Sequence, residues 1–401
     1  LFLCNIIRTM KKYLLASAAS LLMSTAAFAQ LGENGYYRVQ NKATSRYVGI
    51  IHDRSETEVV TTQADLNALR AYKNWDWVES DPATIIFIEK KSSGTTNGKT
   101  YYNCNLHGQG TNTYSIINYD IKILDMGGKY RCYVVYNGTQ YLSELSESSS
   151  AVVNKLNINN SSTWDWNILP VSSSGSNYFG VKPTVTADGK YYATMYAHWG
   201  FTPVSASTKA YYVEKVENGY AVIRQISGAV PAKTAVIFEC AGATAADNKL
   251  DIAINSATLP SANKLSGVYF CIDNGQSFHK DYVAYDPATM RVLGICSDGR
   301  PGFIKKAASD FTVPDEFWTF MAEGAIPANT AYLKVPSGTP DELPLITAEE
   351  YAAGINGVTI DGNVASNITT LSGTIVRKNA TSTAGLCPGV YIWNKKKIVV
   401  K

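Results

Sequence analysis

Glycoside hydrolysis needs two carboxyl groups brought together in space, and Asp188, Glu214, Asp273, Asp286 and Asp298 are the acids here that could supply them. Asp188-Gly189, Asp286-Pro287 and Asp298-Gly299 are also ordinary turn pairs, whose side chains bond their own backbone, so solvated loop carboxylates are the reading adopted. A metal centre needs His, Cys, Asp or Glu at ligand spacing. The four histidines, His52, His107, His198 and His279, stand alone and no Cys-x-x-Cys occurs, so neither a metal nor a cofactor is expected. A strained Gly-x-Ser-x-Gly elbow is absent, and Gly108-Gln109-Gly110 is too short for a phosphate-binding loop. The sequence therefore points away from catalysis.

Sugar recognition is a different chemistry: aromatic rings stack on C–H faces while neutral polar groups take the hydroxyls. The tripeptide Trp-Asp-Trp occurs twice, at Trp75-Asp76-Trp77 and Trp164-Asp165-Trp166. On a strand both indoles of such a triplet face one side and the acid faces the other. Trp166, Ile168 and Pro170 continue one face, which assigns Trp77 and Trp166 to a core. Asn74, Trp75 and Asp76 are the candidate ligand contacts.

Three weakly similar units position these triplets. Gly35-Tyr36-Tyr37-Arg38-Val39, Gly98-Lys99-Thr100-Tyr101-Tyr102 and Gly128-Lys129-Tyr130-Arg131-Cys132 each place a turn glycine before an aromatic-rich strand, and the first and third units close on Trp-Asp-Trp. Units of about forty residues, none able to bury its apolar face alone, are what a β-trefoil requires. From Gly32 to Val171 the segment resembles the ricin-type lectin β-trefoils. The resemblance rests on Tyr37-Arg38-Val39-Gln40-Asn41 with Arg46-Tyr47-Val48, and on Trp164 to Val171, which looks like the closing Gln-x-Trp strand. It implies carbohydrate binding. Trp75 and Trp164 stand in place of the Gln, and Gly49 and Ser143 in place of a sugar-contacting Asp.

Ser172-Ser173-Ser174-Gly175-Ser176 reads as a linker. Beyond it, Gly228-Ala229-Val230-Pro231-Ala232-Lys233-Thr234-Ala235 is matched by Gly324-Ala325-Ile326-Pro327-Ala328-Asn329-Thr330-Ala331, a proline turn entering a strand. Asn218-Gly219 between two apolar runs favours a tight hairpin. Residues 178–345 are read as a β-sandwich. The tail, Leu371 to Val376 and Gly389 to Lys401, pairs a turn with two alternating strands. It resembles the C-terminal domains of secreted Bacteroidota proteins that act as sorting signals for type IX secretion.

Lys11 and Lys12, an apolar stretch from Leu14 to Ala26 and Ala27-Phe28-Ala29 read as an export signal cleaved before Gln30. The apolar run is too short and too often broken by Ser and Thr to span a bilayer, so no transmembrane span is expected in the mature chain. Discarding Arg8, Lys11 and Lys12 leaves 33 basic against 33 acidic residues, which argues against nucleic acid; Lys395-Lys396-Lys397 reads as a solvated hairpin turn. Six cysteines remain after Cys4 is set aside, scattered in apolar context, where buried free thiols are the ordinary state. With 26 tyrosines and only 17% charged residues, the composition favours all-β architecture.

The divisions expected are residues 1–9 as upstream sequence, 10–29 as signal peptide, 30–172 as β-trefoil, 173–345 as β-sandwich, and 346–401 as linker and short C-terminal β module. The function expected is non-catalytic carbohydrate binding at the cell surface or in the medium, with a glycan or envelope component as partner. A structural or adhesive envelope protein that binds another protein ranks second, and a glycoside hydrolase third. The intact mass of protein recovered from the host's envelope or medium is expected to correspond to a chain beginning at Gln30; a retained Met10 start overturns the export reading.

Overall fold

The computed structural model describes residues 31, 34–50, 69–72, 78–108, 121–135, 139–144, 153–158, 162–254, 257–259, 262–273, 280–311, 322–353, 366–380, 382–393 and 396–400. The signal segment 10–29 and residues 73–77 lie outside these. The described residues are overwhelmingly strand, so the all-β class expected from composition is the class that forms.

Ten strands build the front unit: β1 (Gly35–Asn41), β2 (Tyr47–Ile50), β3 (Leu69–Tyr72), β4 (Ile86–Thr96), β5 (Lys99–Gly108), β6 (Ile121–Asp125), β7 (Tyr130–Val135), β8 (Thr139–Glu144), β9 (Val153–Ile158) and β10 (Trp166–Pro170). β1 pairs with β4 and β10, β4 with β5, β5 with β6, β6 with β7, and β7 with β10. That circuit closes a ring of antiparallel strands in which each of the six has a neighbour on both sides, β7 and β10 meeting at the single pair Tyr130 and Trp166. The pairs β2–β3 and β8–β9 extend from it and meet through β3 and β9. All three repeated openings become ring strands, β1, β5 and β7.

Period-two alternation fills the ring. Tyr37 and Val39, Ile86 and Ile88, Ile121 and Ile123, Tyr130 and Cys132, and Trp166 and Ile168 converge on one core. At three hairpins where Asx precedes Gly, both turn residues take positive φ: Asn97-Gly98 between β4 and β5, Asp188-Gly189 and Asn218-Gly219; at Asp298-Gly299 the glycine alone does. Their backbone twist matches that of the strands they join, which is why Asx-Gly is legible as a hairpin.

Residues on the outer side of β1 would ordinarily meet water, yet Arg38 is fully buried. Its Nε donates to Thr84 Oγ1 at 3.0 Å, Nη2 to the Val78 carbonyl at 2.8 Å, and Nη1 to Asn177 Oδ1 at 2.9 Å and the Tyr178 carbonyl at 2.6 Å. Asn177 in turn donates to the carbonyls of Leu169 and Pro170. The Ser/Gly run read as a linker is instead a fixed turn, in which the Ser172 N–H donates to the Asn177 carbonyl and the Gly175 N–H to the Ser172 carbonyl.

The central region holds a ten-stranded sheet and a three-stranded one. One pairing in the larger sheet is parallel, Tyr220–Gln225 beside Glu342–Thr347. The sheet curls until its ends approach: the Tyr196 N–H donates to the Asn329 carbonyl and the Ala331 N–H to Thr194 Oγ1. Tyr211, Val213, Ile237, Phe303, Leu333 and Leu343 pack inside the curl. On the outer wall Tyr212, Phe238 and Val236 pack with Phe179, Phe201 and Leu250 of the three-stranded sheet. The two-layer packing expected of a sandwich is thus confined to one wall, because the large sheet wraps around a core of its own.

The duplicated turn is real in the backbone. Gly228 and Gly324 have φ of 83° and 66°, and Lys233 and Asn329, five residues on in each copy, have φ of 57° and 56°. Val230 bridges to Phe201, and the Ile326 N–H bonds the Val283 carbonyl, so each copy is tied to a preceding segment.

The regions interlock. Phe270 joins the core of the front ring, while Ile85 of the front unit sits in the central core. The C-terminal sheet, Ser366–Thr370, Ile375–Ala380, Gly389–Trp393 and Lys396–Val400, closes over Ile368, Ala380, Trp393 and Ile398. Of the lysine cluster, Lys396 and Lys397 lie in the last strand, and the Lys397 Nζ donates to the Ala353 carbonyl at 2.7 Å.

Beside the Arg38 clamp, the Asp81 carboxylate accepts from the Ala83 N–H at 2.9 Å and caps the short turn Pro82–Thr84. Burial pushes this carboxyl up from 3.8 to about 6, against the opposing effect of the Ala83 bond and the Arg38 charge. The folded pKa lies above the unfolded one, so the stabilising contribution is complete below 3.8 and is lost as pH rises through about 6. Asp81→Asn keeps the acceptor for Ala83 and has no charge to bury. It is expected to flatten the dependence of Tm on pH between 3.8 and about 6 and to raise Tm at neutral pH, read by a thermal melt across pH.

Candidate functional site

The candidate contacts Asn74, Trp75 and Asp76, with Trp77, lie outside the described residues. The third unit carries the same Trp-Asp-Trp triplet, and there the geometry is defined. Trp166 opens β10 and is fully buried in the ring core, its Nε1 donating to the Leu142 carbonyl at 2.9 Å. Its assignment to the core holds. Pro170, read as continuing that face, is exposed.

Trp164 does not share the face of Trp166. The chain is still in the turn leading to β10 at Trp164, so alternation has not yet begun and the ring stays near the surface, half-buried. It meets Tyr141 of β8 edge to face, with centroids 4.9 Å apart and planes at 65°. The Arg131 guanidinium, from β7, lies 4.2 Å from the Trp164 ring centre and 5.8 Å from that of Tyr141. Such cation–π contacts draw a guanidinium toward the face of an indole.

Asp165, between the two tryptophans, anchors this group. Arg131 Nε donates to its Oδ1 at 2.7 Å, and Lys129 Nζ to its Oδ2. Burial alone would raise the Asp165 carboxyl, but the hydrogen bonds from Arg131 and Lys129 outweigh it and hold the group below the usual carboxylate range. Two cations thus share one carboxylate, and the site carries a net positive charge beside an aromatic pair. The repeat signal alone could have found this second site, because it equates Trp164 with Trp75. Lys129 and Tyr141 belong to the repeated units, but nothing in the sequence marks either as a contact.

Ser143, standing where a sugar-contacting Asp would be expected, is buried in β8 and offers nothing to a ligand. Three of the five carboxylates considered for hydrolysis are engaged locally. Glu214 takes Arg224 through both oxygens, at 3.1 and 3.0 Å, and Asp298 pairs with Arg300 at 2.8 Å. Asp286 accepts from the Ala288 N–H at 2.9 Å, and Asp188 occupies the first position of a hairpin turn. The side chain of Asp273, like His52 and His279, lies outside the described residues.

His107 meets Glu89 at 3.1 Å. His198 stacks on Tyr269 with centroids 3.5 Å apart, and burial, helped by the Lys233 charge, lowers its pKa to about 3, which keeps the ring neutral. Cys104, Cys132, Cys240, Cys271 and Cys296 are buried free thiols, and Cys387 is an exposed one. Among the described residues, no group of three or more His, Cys, Asp and Glu could hold a metal ion. No described helix is long and apolar enough to cross a membrane.

No family model matches the chain, and no curated protein matches it. Among solved structures, a mosquitocidal holotoxin aligns with 91% of this chain at 11% identity and a TM-score of 0.23. The chain spans 41% of that toxin's length. A likeness this distant says nothing about activity.

The two tryptophans are expected to separate cleanly on substitution. Trp166→Ala should destabilise the protein by about 3 to 5 kcal/mol, since it empties a core position and strands the Leu142 carbonyl. Trp164→Ala should cost about 1 kcal/mol or less. Urea denaturation of both variants measures the contrast, and equal costs would place both rings in the core.

Proposed function

We propose that this protein is an exported, non-catalytic carbohydrate-binding protein of the cell surface or the medium. The observation that carries the reading is the aromatic pair of Trp164 and Tyr141, held near the surface beside Asp165, Arg131 and Lys129. An indole and a phenol packed edge to face offer a corner into which a sugar ring can settle, with charged hydrogen-bonding groups at its rim. The front unit is read as a β-trefoil in three repeats, whose first and third units present equivalent surfaces; Asn74, Trp75 and Asp76 are then a second contact set of the same kind. The locally engaged carboxylates favour binding over hydrolysis.

Adhesion to another protein is the second reading, and a specific observation favours it for the tail. Val390 and Val399, paired across two strands of the C-terminal sheet, are 37% and 38% exposed, and Leu371 in the turn after Thr370 is 62% exposed. This is compatible with a sorting-type module read by export machinery.

A glycan array probed with the chain from residue 30 onward tests the first reading. Hits are expected for intact protein, with at least a tenfold loss for Trp164→Ala at an unchanged melting transition. An array without hits moves the assignment to the adhesive alternative.

A further inference from the structure

Carbohydrate binding leaves open what kind of sugar the third-unit site takes, and the charge of the site narrows the choice. Lys129 and Arg131 both converge on Asp165, so one carboxylate faces two cations. Arg131 spends only Nε on Asp165, at 2.7 Å. Among the described residues, neither of its terminal nitrogens meets an acceptor.

The guanidinium is also oriented. Its centre lies 4.2 Å from the Trp164 ring centre and its Nε is bonded to Asp165, so two contacts on different sides restrict its movement. What remains is a pair of parallel N–H donors, pre-set in direction at the edge of an aromatic corner. A guanidinium held this way matches the two oxygens of a carboxylate. A neutral sugar hydroxyl would satisfy one donor and leave the excess charge unanswered.

We infer that the third-unit site is specific for acidic sugars: a ring-borne carboxylate pairs with the terminal nitrogens of Arg131 while the sugar ring rests against Trp164 and Tyr141. The inference rests on the carbohydrate-binding reading. Uronic acids and sialic acids both carry the required group, and they are separated by the probes below. Asp165 has two effects. It holds Arg131 in place, and its charge opposes the incoming carboxylate, so affinity is moderate and selectivity comes from geometry.

The test is calorimetric titration of the chain from residue 30 onward with tetragalacturonate, with sialyllactose and with neutral galactotetraose, at low and at physiological salt. At least one acidic probe is expected to bind roughly tenfold more tightly than the neutral one at low salt, and the advantage should shrink as salt rises. Whichever acidic probe binds names the source. Arg131→Gln should abolish that preference, bringing the acidic and neutral affinities together. Arg131→Lys should restore only part of it, because an ammonium supplies charge without the paired donors. Asp165→Asn keeps an acceptor for Arg131 and removes the opposing charge, so it should strengthen acidic binding several-fold. This variant carries the test if Arg131→Gln fails to fold.

Equal affinity for acidic and neutral probes overturns the inference and leaves the carbohydrate-binding reading standing. Acidic binding that Arg131→Gln leaves unchanged in a folded protein, or that Asp165→Asn weakens, overturns it as well. Failure of every probe, acidic and neutral, counts against the reading beneath it.

Discussion

A guanidinium taken out of water is tolerable only when its donors are met, and the way Arg38 meets them organises the molecule. Its acceptors come from Val78 and Thr84 in the front unit and from Asn177 and Tyr178 at the start of the central region. Burial lowers its pKa to about 10, still far above physiological pH, so the charge persists inside. Around this centre the outer side of β1 becomes an interior. Asn177 is pinned both to Arg38 and to the end of β10, which turns the Ser/Gly run into a rigid corner. The exchange of Phe270 and Ile85 between cores is then packing against a fixed neighbour.

The site inherits its geometry from the same frame. β10 is held in register by β1, with Arg38 opposite Leu169 and Asn41 opposite Trp166. Trp166 is thereby driven into the core, and the two residues before it are left at the rim. Asp165 reaches Lys129 and Arg131 because β7 pairs with β10 at Tyr130 and Trp166. The aromatic corner is therefore set by strand register within the ring.

Local rules are legible in the sequence wherever local energetics decide. Asn218-Gly219 forms the expected hairpin because few other residue pairs accept two positive φ values in succession. The alternation of Tyr37 with Val39 and of Trp166 with Ile168 marks the buried side, and the matched Gly228 and Gly324 turns adopt matching backbones. What escapes is non-local. Arg38 alternates outward like any surface residue, and segments 40 to 140 residues away make its position interior. The curl of the central sheet depends on a parallel pairing between Ala221 and Leu345 that no local pattern announces. Trp164 parts from Trp166 because strand alternation starts only at Trp166, a boundary that the triplet itself does not mark.

Ring closure also sets an order of events during synthesis. β1 leaves the ribosome early, yet two of its neighbours are far behind it: β4 begins at Ile86 and β10 at Trp166. Until β10 arrives, β1 cannot complete its hydrogen bonds, and the inward side chains of Tyr37 and Val39 wait uncovered. Phe270, which completes the same core, comes later still. High separation between partners in the chain makes such closure slow. A ring that cannot shut before its last strand is made keeps β1 open to its late partners, and its resistance to unfolding comes only when β10 docks.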